Sequence, residues 1–194
     1  MEPVIPLDFT ILVPSGSTIE TARCRLRCPT VADIPLVFSA TRVAGFTRGM
    51  QWEPPAKIEE LEEPLQENFR AWHEGKMYVF TIADPHSDLL LGRIGIRKTD
   101  RQDVWNLGFW THPERQGQGY MTDSLVAMLE FGFEILGASR IEASHALWNK
   151  ASRRVLEKVG MKFVRYIPHA FQKKGHWIEA NKLEITKQEW LGNN

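Results

Sequence analysis

The sequence contains few of the residues that crosslink small folds. Its two cysteines, Cys24 and Cys28, lie four positions apart in a segment with the alternation of a strand. About 13 Å separates such positions, which is too far for a disulfide. No group of histidines accompanies them, so we expect two reduced thiols and no bound metal. A chain of 194 residues is long enough to bury a core without such crosslinks.

Long apolar runs and an excess of one sign of charge are also missing. No stretch approaches the roughly 20 apolar residues of a membrane helix, and the N-terminus lacks a positively charged start followed by an apolar core. The 24 basic and 24 acidic residues cancel, which argues against a general surface for nucleic acid or anionic membranes. We therefore expect a cytoplasmic protein with neither as a partner.

One segment, residues 112–120, organises the rest of the pattern. It reads His-Pro-Glu-Arg-Gln-Gly-Gln-Gly-Tyr and joins a strand-like apolar run at 104–110 to a helical amphipathic one at 121–136. Glycines at a helix start expose backbone N–H groups at the positive end of the helix dipole, which suits an anion. The dinucleotide pattern G-x-G-x-x-G and the Gly-Lys-Ser/Thr of a P-loop are absent, which argues against a dehydrogenase or kinase. A plain strand-to-helix turn is the alternative interpretation.

Hydrophobic periodicity predicts a mixed, twisted central sheet with helices on both faces, an α/β fold. Residues 1–22, rich in Pro, Ser, Gly and Thr, are expected to form an extended arm before a single domain at 23–190. Pro64 is expected to divide the helix at 57–74. Strands are predicted at 22–28, 77–83, 89–97, 104–110, 140–145, 162–167 and within 177–185, and helices at 31–40, 57–74, 121–136 and 149–159.

Five short motifs follow one another in a fixed order. They are Gly108-Phe109-Trp110, Pro113-Glu114, Gln116-Gly117-Gln118-Gly119, Asn149-Lys150-Ala151-Ser152 and Glu157-Lys158-Val159-Gly160-Met161. In this order they resemble the acetyl-coenzyme A binding core of the GNAT N-acetyltransferases, in particular the RimJ and RimL branch, which acetylates ribosomal-protein N-termini. With two weaker upstream matches, the likeness covers about residues 23–185. It implies acetyl-CoA as the acyl donor and coenzyme A as the product.

The resemblance also implies which residues bind the acyl donor. The glycine loop would hold the CoA diphosphate, and a bulged central strand would pair with pantetheine; a plain strand Gly108 is an equal alternative. Asn149 would hydrogen-bond pantetheine, or act only as a helix N-cap. The implied CoA-binding residues are Phe109, Trp110, Thr111, Arg115, Gln116, Gly117, Gln118, Gly119, Tyr120, Met121, Asn149 and Ser152.

Two positions depart from the pattern of many GNAT enzymes. Asn106 stands where a glutamate serves as base, and Leu156 stands where a tyrosine serves as acid. The RimJ and RimL likeness implies that Ser152 replaces the acid by protonating the thiolate. The candidates for the base are His169, Glu179 and His112, with solvent as an alternative. We assign Ser152, His169 and Asn106 to the catalytic set.

The expected activity is transfer of acetyl to a primary amine, either a protein N-terminus or a small amine. Neither cysteine lies near the motifs, so direct attack without a covalent enzyme intermediate is expected. A non-catalytic acyl-CoA-binding or regulatory module is the alternative, and a nucleotide-binding domain is a weaker one. A homodimer is left open. The residues assigned to the acceptor pocket are Trp52, Trp105, Phe171 and Glu179.

Overall fold

The computed structural model of the chain describes residues 12–193, and these build one mixed sheet of eight strands. The strands follow one another across the sheet in the order β1-β2-β3-β4-β5-β6-β8-β7. Every neighbouring pair is antiparallel except β5 and β6. The strand bounds are β1 Ile19–Glu20, β2 Arg25–Arg27, β3 Met77–Ala83, β4 Leu90–Lys98, β5 Val104–Thr111, β6 Arg140–Ala146, β7 Lys162–Lys173 and β8 His176–Thr186.

Helices cover both faces of the sheet, as the sequence predicts. Their bounds are α1 Ile34–Arg42, α2 Glu62–His73, α3 Tyr120–Glu130, α4 Lys150–Lys158 and α5 Lys187–Asn193. Asp33, at the start of α1, accepts a hydrogen bond from Thr81 on one face of β3. Gly132, which follows α3, packs against Ile141 and Ile96 on the opposite face. We call these the α1 face and the α3 face, and α4 contacts both α3 and β6.

Several boundaries differ from the predicted ones for local reasons. Pro64 does not divide α2, because it lies in the first turn of the helix. Backbone N–H groups there have no intrahelical acceptor, so the N–H that proline lacks costs no hydrogen bond. The helix break falls earlier, after a short 3-10 turn at Ile58–Leu61. The predicted helix at 121–136 is α3 followed by a π-helical turn, Phe131–Ile135. The last two strands are longer than predicted and form one hairpin.

The N-terminal part of the described chain joins the sheet. Ile19 and Glu20 pair with Leu26 and Arg25 of β2, and the Val13 carbonyl accepts a 2.6 Å hydrogen bond from the Trp72 indole. Residues 1–11 of the predicted arm lie outside the described residues. Within residues 12–193, no helix is both long enough and apolar enough to cross a bilayer.

The parallel pair at the centre of the sheet is short. β5 and β6 pair over four positions only, from Val104 opposite Arg140 to Leu107 opposite Ala143. Beyond them β5 stays with β4 as far as Thr111, whereas β6 stays with β8 as far as Ala146. The two strands therefore part, and the β6-facing edge of β5 is free from Gly108 onward.

A buried ion pair fixes α1 to the sheet. Asp33, whose side chain is 3% exposed, accepts hydrogen bonds from both terminal nitrogens of Arg27 at 2.8 and 3.0 Å. It also accepts from the Thr30 N–H and the Thr81 hydroxyl. Burial raises the pKa of Asp33, but the hydrogen bonds from Arg27, Thr30 and Thr81 outweigh it, so the pKa lies below its usual value.

We expect Asp33→Asn to lower the free energy of unfolding by about 3 kcal/mol, because the largely buried Arg27 guanidinium loses this partner and keeps the more exposed Asp88 as its counter-charge. Urea unfolding at pH 7 measures this loss. Because the folded pKa is depressed, the difference between wild type and variant should be full above about pH 4 and shrink as the pH falls below it. Glu157→Gln, in the exposed Arg153–Glu157 pair, is the control and should cost about 0.5 kcal/mol or less.

Candidate functional site

The glycine loop after β5, which we call the cradle, lies at the start of α3, where the sequence predicts an anion-binding site. Gly117 and Gly119 have φ values of 77° and 88°, a left-handed conformation that glycine adopts without strain. Gly119 is the N-cap of α3. Within residues 12–193 the backbone N–H groups of Gln116 to Met121 donate to no acceptor. Six free donors at the positive end of a helix can bind a diphosphate.

Arg23 packs beside the cradle from a distant part of the chain. Its guanidinium donates two hydrogen bonds to Asp123 in the first turn of α3, at 2.8 and 2.9 Å. A Cβ on Gly119 would lie 3.3 Å from the Arg23 side chain. Glycine at 119 thus satisfies both the backbone conformation and the close approach of Arg23.

His112 serves the turn and is not available as a base. It is 5% exposed, its Nδ1 accepts from the Glu114 N–H, and its Nε2 lies 3.0 Å from the Ser39 hydroxyl. Because Ser39 already donates to the Leu36 carbonyl, the ring donates from Nε2. Both ring nitrogens are engaged, so His112 does not have the role considered for it.

The free edge of β5 begins at Gly108 and runs into the cradle. The register between β4 and β5 is regular from Lys98 opposite Trp105 to Gly92 opposite Thr111, so β5 is not bulged against β4. Gly108 is a plain strand glycine, and the strands part because β6 follows β8. The backbone groups of residues 108–111 that point away from β4 have no strand beside them.

The N-terminus of α4 follows the parted end of β6. The Asn149 side chain caps the helix by accepting from the Ser152 N–H at 3.0 Å, which is the structural role expected of an N-cap. Its amide NH₂ group donates to no group within residues 12–193. Ser152 is half-buried, whereas Leu156 is fully buried in the core. Leu156 therefore supplies packing and no acid.

On the α1 face the centre of the sheet is exposed at Gly108 and Ser144, and we call this exposed surface the groove. Its floor contains two glycines that pair directly across β4 and β5, Gly95 and Gly108. A Cβ at 108 would meet nothing within 4 Å, and Ser144 on β6 is exposed. Cross-strand neighbours share a face, so Asn106 and its partner Glu142 lie on this floor.

Aromatic side chains form one end of this groove. Phe46, in the loop after α1, contacts Trp110 of β5 edge-on at 5.3 Å between ring centroids, and contacts Trp52 at 6.3 Å. Trp148, after β6, lies against Gly49 of the same loop and under the Arg48 guanidinium. The loop thus connects the free end of β5 to the start of α4.

The β7–β8 hairpin reaches the same loop. Lys173, 8% exposed, donates to the carbonyls of Met50 at 3.2 Å and Trp52 at 2.5 Å and pairs with Glu53 at 3.3 Å. Its β7 strand shifts register between Ile167 and Phe171. Lys173 therefore holds the hairpin and the aromatic loop together.

The other predicted site residues of this hairpin lie at its surface. His169 occupies the shifted segment, 5.0 Å from the Trp177 ring, and both are exposed. Glu179 accepts a hydrogen bond from the Tyr166 hydroxyl, and Phe171 pairs with Ile178.

Trp105 lies in the core instead of in the groove. It is 4% exposed and stacks on Tyr78, because its side of β5 is the one that faces α3. It does not line a pocket, contrary to the prediction.

A family model provides the comparison that decides the identity of this fold. The model described as "Acetyltransferase (GNAT) domain" matches residues 23–162. The chain belongs to the GNAT acetyltransferases. It is thus an acyltransferase. A relative in Bacillus subtilis (strain 168), the uncharacterized N-acetyltransferase YnaD, is 29% identical to this GNAT chain over 111 residues. That match covers 57% of the chain and 65% of YnaD.

Solved structures of other GNAT enzymes share the fold. RimJ of Mycobacterium smegmatis, in complex with CoA-disulfide, superposes with a TM-score of 0.77 at 22% identity, covering 90% of this chain and 89% of that one. Spermidine N-acetyltransferase of Vibrio cholerae, in complex with CoA and spermine, gives 0.76 at 19% identity, covering 88% and 99%. At these identities the likeness establishes the architecture.

Three residues around this GNAT site are absent from the sequence prediction. Phe46 belongs to none of the recognised motifs. Arg23 belongs to an alternating strand pattern, which accounts for it as an ordinary surface residue. Glu142 becomes notable only when β6 is placed beside β5 in the observed register. That register is set by tertiary packing and leaves no local signal.

We expect Gly117→Ala to weaken CoA binding at least about tenfold. The new Cβ would enter the open space of the cradle, where nothing lies within 4 Å of it. Gly137→Ala is the matched control, since Gly137 has a similar φ of 68° and similar open space but follows the end of the π turn. Both variants should lose about 1–2 kcal/mol of stability, and only the first should change the CoA dissociation constant measured by calorimetry.

Proposed function

We propose that this chain transfers acetyl from acetyl-CoA to a primary amine by direct attack, as a member of the RimJ and RimL branch. One arrangement carries the proposal: a strand edge without a neighbour leads directly into a cradle of six free N–H groups. A molecule with a linear polar arm and a diphosphate matches both parts. Acetyl-CoA has this form, and two structural relatives were solved with CoA ligands.

The acyl donor would enter on the α3 face. Its diphosphate would accept from the amides of residues 116–121, with Arg115 and Gln118 as further donors. Pantetheine would pair with the free backbone groups of Phe109 and Thr111, which flank Trp110, and with the Asn149 amide, whose NH₂ group remains available. The open space at Gly117 and the unpaired donors around it suit this ligand.

Acetyl transfer requires a positioned thioester, a neutral amine and stabilisation of negative charge on the carbonyl oxygen. Backbone N–H groups of the free β5 edge would stabilise that oxygen. Ser152, in the first turn of α4, would protonate the departing thiolate. Cys24 would not take part, because its Sγ is buried in the core, 3.4 Å from the Ser124 hydroxyl.

The acceptor would enter along the α1-face groove, opposite the donor. Trp52, Phe46 and Trp110 form its aromatic end, and His169, Phe171 and Glu179 lie on the hairpin that closes its side. Because Gly95 and Gly108 leave the floor of the groove without side chains, the groove would admit an unbranched amine, either a protein N-terminus or a small amine. One relative of the same fold is a spermidine N-acetyltransferase, which agrees with an acceptor of this shape.

The proposal is tested by thiol release from acetyl-CoA with a panel of N-terminal peptides, polyamines and amino acids. We expect turnover with at least one amine, with the acetyl group on its nitrogen by mass spectrometry. Binding of CoA with no turnover across the panel would support the non-catalytic acyl-CoA module. Absence of CoA binding would contradict both.

Ser152→Ala should lower kcat by about 10²-fold, because the leaving thiolate loses its proton donor. The CoA dissociation constant should stay within about threefold, since the Ser152 N–H that Asn149 caps is retained. Ser139→Ala removes a hydroxyl that donates only to the Asp103 carbonyl and serves as the control. An unchanged kcat in Ser152→Ala would exclude the serine as the acid.

A further inference from the structure

In the sheet, the Glu142 carboxylate lies beside Asn106, the position where many GNAT enzymes have the glutamate base. Asn106 of β5 and Glu142 of β6 are register partners in the parallel pair, so their Cα atoms are about 4.8 Å apart and their side chains share the α1 face. The Asn106 amide donates to the Glu142 carbonyl at 3.4 Å. The strands part after the next pair, so Glu142 lies at the point where the gap opens.

The two oxygens of Glu142 have different surroundings. Oε2 contacts both the Lys182 ammonium, at 2.6 Å, and the Arg101 guanidinium. Oε1 has no hydrogen-bond partner within residues 12–193, although the Glu142 side chain is only 9% exposed. Oε1 is therefore available to a bound ligand.

The other groups considered as the base are placed less well. His112 is buried with both ring nitrogens engaged, and Glu179 accepts from Tyr166 on the exposed part of the hairpin. His169 lies in the exposed, register-shifted segment of β7. Glu142 is the carboxylate that combines a fixed position at the gap with a free oxygen.

We propose that Glu142 binds the acceptor ammonium through Oε1 and takes its proton, directly or through one water. This rests on the acetyl transfer proposed above. The ammonium gives one proton to Glu142, and the neutral nitrogen attacks the thioester carbonyl and forms the C–N bond. The C–S bond then breaks, Ser152 gives its proton to the thiolate and takes the second proton of the nitrogen, and Glu142 returns its proton to solvent.

The cations around Glu142 support this step. Lys182 and Arg101 hold Oε2 and so fix the direction in which Oε1 points. Glu142 thereby presents Oε1 to an acceptor in one fixed direction.

The test is Glu142→Gln, which keeps the shape of the side chain and removes its charge. We expect kcat/KM for the acceptor to fall about 10²-fold, through both a raised acceptor KM and a lowered kcat. The CoA dissociation constant should remain within about threefold of wild type. Glu184→Gln is the matched control, because Glu184 is the register partner of Glu142 on β8 and pairs with Arg140; its kcat/KM should change less than about threefold.

A relocation variant separates chemistry from structure. In Asn106→Glu combined with Glu142→Gln the carboxylate moves one strand across, on the same face. We expect this double variant to recover at least about tenfold of the kcat/KM lost in Glu142→Gln. A residue that only held Arg101 and Lys182 would not be replaced in this way.

If Glu142→Gln does not fold, Glu142→Asp keeps the charge and withdraws the oxygen by one carbon. We then expect a folded variant with about a tenfold loss of kcat/KM. A folded Glu142→Gln with wild-type kcat/KM, or a double variant no better than Glu142→Gln, would overturn the proposal. Failure of acetyl transfer itself is separate, because it would appear as absence of turnover in the wild-type chain.

Discussion

The arrangement of this site depends on the four-residue length of the β5–β6 pairing. Each strand keeps hydrogen bonds to its outer neighbour, β5 to β4 and β6 to β8, and the outer ladders diverge. Unpaired backbone groups away from water are costly, so an edge inside a sheet is favourable only where solvent or a ligand satisfies it. The cradle lies at the end of one strand and the α4 N-terminus at the end of the other. Their positions follow from the same divergence.

The sequence predicts the local parts of this structure well and the non-local parts poorly. The strand, glycine loop and helix at 104–136 are confirmed because each has a local cause: apolar periodicity, positive-φ glycine and an amphipathic stripe. The mixed fold is confirmed as well. In contrast, Arg23 meets Asp123 across 100 positions, and Asn106 meets Glu142 across 36. Such contacts depend on strand order and register, which no local pattern contains.

Trp105 and His112 show how the lack of information on strand order and register affects predictions for individual side chains. Trp105 and Trp110 belong to one run with apolar residues on both faces, so the sequence did not reveal which tryptophan faces the core. His112 was considered because imidazole titrates near neutral pH. In the fold it follows directly after a strand, where a loop N–H and a helix serine need partners, and its ring satisfies them.

Lys173 has a consequence for the size of acceptors. One ammonium ties the hairpin to carbonyls on either side of Gln51, and hydrogen bonds to a charged group are worth about 1.5–3 kcal/mol each. Under the proposed function, widening this entrance for a folded protein surface would break these bonds, whereas a flexible chain end would pass without doing so. The lysine would then act as a clasp that favours acceptors whose amine lies on a narrow, extended stem.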